Sequence, residues 1–334
     1  MLSWARPNVR MTPLKKLAAL LALAAIATQI TAATATASAG VDPLTAEIDI
    51  SDAQRFAGLM KDGAVPTADA LQHGYLDGAG RGVRIFTPNR IVDARNLARV
   101  VAARPDNYRQ AIRECLPQLP ALRSDLRAIY LGFAGLLPER PLPAIHVVFG
   151  AGNSGGTASS EAQVIGLEVV CQLGPTPARF RTTMRDFFAH ETVHTWQRES
   201  SPQALLDPLL NQSLREGVAD YLASLVTGEI PDAARDAWAR EREAWLWQAF
   251  QRDRQALKAD GKALKKPGAS PHYLRWLSNY GSAPEGWPVE AGYWIGMRIA
   301  EAYVARAGDK HAAIRDLIEL KDPDAILKAS GYGS

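Results

Sequence analysis

The stretch DFFAHETVHTWQRE, residues 186–199, carries His190 and His194 four positions apart with Glu191 beside the first. On a helix that spacing stacks the two imidazoles one turn apart on a single face. Both can then reach one zinc ion, whose nitrogen ligands sit at about 2.0–2.1 Å. Glu191 points to a different side and can approach a metal-bound water without ligating. Zinc lowers the pKa of such a water toward about 7, and a neighbouring carboxylate can take its proton. The H-E-x-x-H pattern also fits two histidines on an ordinary amphipathic helix. A third donor on a nearby element has to decide between them.

Glu216 is the candidate for that donor. It lies in SLREGVADYLASL, in mid-helix, with Gly217 next to it and Asp220 one turn further on. A helix-interior glycine costs about 1 kcal/mol against alanine, so Gly217 implies a close backbone approach. Asp220 can accept a hydrogen bond from the free ring nitrogen of a ligand histidine and fix its tautomer. The alternative is that both carboxylates are solvated helix charges. With only Cys115 and Cys171 in the chain, a thiolate cage is excluded, and Zn²⁺ would be held by His190, His194 and Glu216.

The elements that position these residues can be bounded. Thr176-Pro177 reads as an N-cap and first helical position, and the helix runs to about Glu199 with Pro202 as its exit. Asp207-Pro208 starts the next helix and Gly228 stops it. Residues 40–140 read as mainly helical, as do 231–258 and 291–306. AIHVVFG (144–150) and AQVIGLEVV (162–170) read as strands joined by a glycine-rich turn. That turn, GAGNSGGT, lacks the lysine and Ser/Thr of a phosphate loop. KADGKALKKPGAS reads as an exposed loop. Trp238, Trp245, Leu246, Phe250 and Leu257 read as packing residues of one long helix, and His73, His146 and His311 as structural histidines without carboxylate partners. The fold class expected is α+β, mainly helical, with a small sheet against the H-E-x-x-H helix. Residues 1–39, 40–140 and 141–334 form leader, helical N-terminal region and metal region, the last two as one unit.

The first 39 residues hold Arg6, Arg10, Lys15 and Lys16 and no acidic residue, followed by an Ala/Leu run and small residues at Ala37 and Ala39. This matches a secretory signal cleaved after Ala39, with Met1 or Met11 as the start. Its removal takes the formal charge from +3 to −1. The remaining chain has no basic block suited to nucleic acid and no further run long enough to span a bilayer. A periplasmic or secreted location is expected. No cysteine lies at the cleavage region, which argues against a lipidated terminus. In an oxidising compartment Cys115 and Cys171 fit either one disulfide or two buried thiols. Oligomeric state is not legible.

H-E-x-x-H on one helix and E-G-x-A-D-Y on the next resemble the gluzincin metallopeptidases, the class that includes thermolysin. The match runs through His190, Glu191, His194 and Glu216, with Asp220 at a position that orients a ligand histidine. More narrowly, NSGGT before VIGLEV, then GYWIGMRIAEAYVARAGDKHAAIRDLIEL and KASGY, resemble a bacterial family of predicted zinc-dependent proteases of unassigned substrate. The resemblance covers roughly residues 140–332. It implies a zincin-like fold and an exported zinc peptidase in which Glu191 is general base. It also implies an extended peptide substrate paired to a strand edge, for which 162–170 is the candidate. Tyr293, opening a helix, would stabilise the oxyanion, with His272 and Tyr280 as competitors. Two other readings stand beside it. One is an exported helical binding or scaffold protein with an inert or structural H-E-x-x-H. The other is a zinc hydrolase of non-peptide amides or esters.

Overall fold

The computed structural model describes residues 40–333. The leader expected at 1–39 lies outside them. Four short strands form one sheet: β1 (Ile48–Asp49), β2 (Ala144–Val148), β3 (Gly156–Ala158) and β4 (Ala162–Gly166), in the order β1-β2-β4-β3. β1, β2 and β4 are parallel, with His146 opposite Val164, and β3 returns antiparallel with Thr157 opposite Val164. The rest is helical. α1 (Ser51–Leu59), α2 (Arg81–Phe86), α3 (Ala94–Ala103) and α4 (Arg123–Leu136) precede β2. After β4 come α5 (Leu167–Leu173), α6 (Pro177–Trp196), α7 (Pro208–Thr227), α8 (Ala233–Arg240) and α9 (Glu243–Ala259). α10 (Ala291–Arg306), α11 (Lys310–Glu319) and α12 (Pro323–Ser330) close the chain. The architecture is therefore α+β and mainly helical, as expected.

α6 and α7 begin where their caps place them. Thr176 Oγ1 accepts from Arg179 N at 3.3 Å, with Pro177 at the first position. Asp207 Oδ1 accepts from Leu210 N at 3.2 Å ahead of α7, and Gly228 ends it in the left-handed region at φ 73°. α6 lies on the sheet through Gln163 of β4, whose amide donates to Thr192 Oγ1 at 2.7 Å and to the Phe188 carbonyl at 3.1 Å. Arg181 and Arg185 tie α6 to the buried Asp125 of α4 at 2.8 and 3.0 Å. α7 packs on α10 backbone to backbone. A Cβ at Gly217 would sit 2.1 Å from Met297 N, and one at Gly296 only 1.7 Å from the Ser213 carbonyl oxygen. The propensity cost at Gly217 is thus offset by this contact.

Several expectations change. The apolar run 162–170 is a strand only to Gly166; from Leu167 it turns into α5, with Leu167 and Val170 buried. All five β4 residues are buried between β2 and β3, so this strand has no open edge for a peptide; β3 is the edge. Residues 231–258 are two helices, broken at Glu241-Arg242. Leu246, Phe250 and Leu257 are core, whereas Trp245 is 48% exposed. The stretch expected as a loop after Ala259 contains a helical turn over Gly261–Lys265. Cys115 and Cys171 form a disulfide. It joins the N-terminal helices to α5.

Candidate metal centre

His190 and His194 lie on α6 and Glu216 on α7, and the three side chains converge. His190 Nε2 stands 3.3 Å and His194 Nε2 3.2 Å from Glu216 Oε2, and the two ring nitrogens are 2.9 Å apart. Three ligands of a tetrahedral ion at about 2.0–2.1 Å stand about 3.3 Å from one another, so this triangle has the size of one face of a zinc tetrahedron. Among the described residues these are the one set of three or more His, Cys, Asp and Glu donors close enough to share an ion.

The partners of the other ring nitrogens decide what lies between. His190 Nδ1 meets Asp220 Oδ1 at 2.9 Å. A carboxylate only accepts, so Nδ1 carries the hydrogen. His194 Nδ1 meets Gln197 Oε1 at 2.8 Å, and the Gln197 amide is oriented by donating to the Arg215 carbonyl at 2.9 Å. Nδ1 of His194 is therefore a donor too. In neutral rings both Nε2 atoms then present lone pairs to each other and to the Glu216 carboxylate. Three mutually repelling lone-pair groups call for a cation among them, either a proton on a ring nitrogen or a metal ion. The residues present fit a metal ion of the zinc type.

The surroundings favour positive charge. Burial depresses the basicity of His190, but the hydrogen bonds and charges of Asp220 and Glu216 outweigh it and carry His190 well above the usual range. For His194 burial is likewise overcome by Glu216, with a net rise. Burial would raise the Glu216 carboxyl, yet His194 and His190 hold it well below the ordinary value. Asp220 is itself held by Arg235, whose Nη2 donates to Oδ2 at 2.7 Å. Gln212 donates to Glu216 Oε1 at 2.7 Å, leaving Oε2 toward the histidines.

Glu191 is buried and lies against β3, where a Cβ on Gly156 would meet its Oε1 at 2.3 Å. Burial raises its pKa. Tyr293 opens α10, and its ring stacks on His190 with centroids 6.1 Å apart and on the Arg235 guanidinium at 5.3 Å. The sequence thus identified His190, His194, Glu216 and Asp220, which do converge, and placed Tyr293 beside them. His272 does not join them; its Nδ1 pairs with Asp253 at 2.7 Å. Tyr280 is 70% exposed. Gln197 and Arg235 were missed. Gln197 lies three positions past His194, the reach of a helical neighbour, but Arg235 comes from another helix and carries no local signal. His73 and His146, expected to lack carboxylates, pair with Asp77 and Asp49 at 2.8 and 3.0 Å.

A model of the family of gliding motility protein GldB matches residues 90–334, well over half of the chain. The chain belongs to the GldB gliding motility family. No curated protein and no solved structure matches it. The match corrects the expected relationship to gluzincin metallopeptidases, and with it the expected peptidase activity, enzyme class and peptide substrate. The gluzincin resemblance, and with it the narrower one to predicted zinc-dependent proteases, rested on short stretches between residues 140 and 332, chiefly the two helices whose residues report the capacity to ligate a metal. The GldB match spans α3 to α12 and reports common descent. Membership of the GldB family also agrees with an exported protein. No helix among the described residues is long and apolar enough to cross a membrane.

Proposed function

We propose that the protein is an exported envelope component that works by binding other proteins of a gliding apparatus, and that His190, His194 and Glu216 hold a zinc ion with a structural task. Membership of the GldB family supports a motility role and protein partners over a hydrolytic one. The observation that supports the metal reading is the convergence of the two Nε2 atoms, 2.9 Å apart, on one Glu216 oxygen, with both Nδ1 atoms already partnered. An ion there would fasten α6 to α7 and add its binding free energy to that of folding. The protein's own groups complete the arrangement: Asp220 and Gln197 hold the two ring hydrogens, and Arg235 and Gln212 hold the carboxylates. Periplasmic placement after leader cleavage is part of the same reading.

The test has two arms. Purified protein should contain one zinc per chain, and chelation should lower its melting temperature; protein that never takes up metal and is indifferent to chelator refutes the metal reading. In the source organism, loss of the gene should abolish surface spreading. Glu191→Gln should restore spreading as fully as the unaltered gene, whereas His190→Ala combined with His194→Ala should not. Failure of Glu191→Gln to restore it would refute the non-hydrolytic role.

A further inference from the structure

Away from the metal centre, α9 turns one face to solvent and borders an open concavity with a volume of about 860 Å³. That is within the range of small-molecule sites, roughly 300–1,000 Å³. Its aromatic side is built from Trp247 and Tyr332, whose rings meet edge to face at 5.0 Å. Tyr332 is fixed by its hydroxyl, which donates to Glu243 Oε1 at 2.8 Å. Its polar side is a row of side chains on α9. Gln248, Arg252 and Gln255 are exposed and follow one another at successive turns. Trp245, 48% exposed, lies one turn before Gln248 on the same face.

These polar groups are unengaged. Among the described residues Gln248, Arg252 and Gln255 make no hydrogen bond or ion pair, and Gln251 uses only its carbonyl oxygen, which accepts from Arg254. The chemistry on offer is two fixed aromatic rings and a line of free amides with one guanidinium. An amide both donates and accepts, which matches a hydroxyl group in either role. An aromatic ring offers an apolar surface to the C–H face of a pyranose. The turns of a helix recur at about 5.4 Å, close to the length of one hexose in an extended chain.

Other occupants fit less well. No strand edge lies here for an extended peptide, and an amphipathic helix needs an apolar stripe that three amides would interrupt. One unpaired cation is too few for a phosphate backbone, and the face lacks the apolar surface of a membrane-lying helix.

We propose that this groove binds an extended oligosaccharide, with Trp247 and Tyr332 against the sugar rings and Gln248, Gln255 and Arg252 hydrogen-bonded to their hydroxyls or carboxylates. The proposal is independent of the metal centre. It is tested by isothermal titration and tryptophan fluorescence of the whole protein with a neutral probe, chitohexaose, and an acidic one, hexagalacturonate. Saturable binding of either is expected. Gln248→Ala with Gln255→Ala, both on the surface and harmless to folding, should weaken it by roughly tenfold or more, and Trp247→Phe should retain it better than Trp247→Ala. The proposal is overturned by the absence of saturable binding of both sugars at millimolar concentrations. It is equally overturned by undiminished affinity in the double amide variant, or by binding to anionic phospholipid vesicles with none to either sugar.

Discussion

Asp220 takes the Nδ1 hydrogen of His190 at 2.9 Å on one carboxylate oxygen and the Arg235 guanidinium at 2.7 Å on the other. The ring is thereby held in the tautomer that aims Nε2 at Glu216. Partners of this kind usually contribute a factor of roughly 10–100 to metal affinity. Asp220→Asn should therefore retain the fold and bind zinc about 10–100 times more weakly, measured by competition with a chromophoric chelator. An unchanged affinity would place the ion elsewhere.

Gly217→Ala and Gly296→Ala should each destabilise the protein by about 3 kcal/mol or more, although alanine is the better helix former by about 1 kcal/mol. The added methyl at either site meets backbone of the facing helix, at 2.1 Å and 1.7 Å, and backbone has no rotamer by which to yield. Denaturant midpoints would decide it. A stabilised Gly217→Ala would mean that α7 and α10 are further apart than described.

Glu168 on α5 is fully buried, and burial raises its pKa to about 6, against the opposing hydrogen bonds from Gly150 N and Gly152 N. The fold therefore binds this proton more tightly than the unfolded chain. Its stabilising contribution is complete below the unfolded value of 4.5 and is lost as pH rises through about 6. The total is about 2 kcal/mol at roughly 1.4 kcal/mol per pH unit. Glu168→Gln should lose less stability than the unaltered protein between pH 4.5 and pH 7. Parallel losses in the two proteins would refute the assignment.

The Cys115–Cys171 bridge closes a loop with a sequence separation of 56 residues. Chain-entropy reasoning assigns such a loop about 4 kcal/mol. Reduction, or replacement of both cysteines by alanine, should lower stability by about that amount and leave zinc content unchanged, since neither sulfur belongs to the His–His–Glu set. Loss of metal on reduction would contradict this separation of the two.

What the sequence could disclose follows from the range of the interactions. The start of α6 and both limits of α7 were legible because Thr176-Pro177, Asp207-Pro208 and Gly228 act within a turn of where they stand, whereas α6 ends at Trp196, short of the expected Glu199. The convergence of His190, His194 and Glu216 followed from i,i+4 geometry and a short connection between helices. The break at Gly166 was hidden. The run from Val164 to Val170, apolar apart from Gly166 and Glu168, has no period to separate strand from buried helix. The edge strand β3 is three residues of Gly, Thr and Ala with no apolar alternation at all. Arg235, 15 residues from the Asp220 it grips, and the pairing of Cys115 with Cys171 are tertiary facts. Family membership rests on a match over residues 90–334 as a whole.

The donors of the metal centre and Asp220 are all encoded between residues 190 and 220, on two consecutive helices. A growing chain thus possesses every ligand before the ribosome reaches α10. The crossing at Gly296 waits for residues 291–306. On the zinc reading proposed above, the α6–α7 hairpin would carry a complete ligand set before α10 is made, and the close contacts at Gly217 and Gly296 would form onto a pair of helices already joined by its ion.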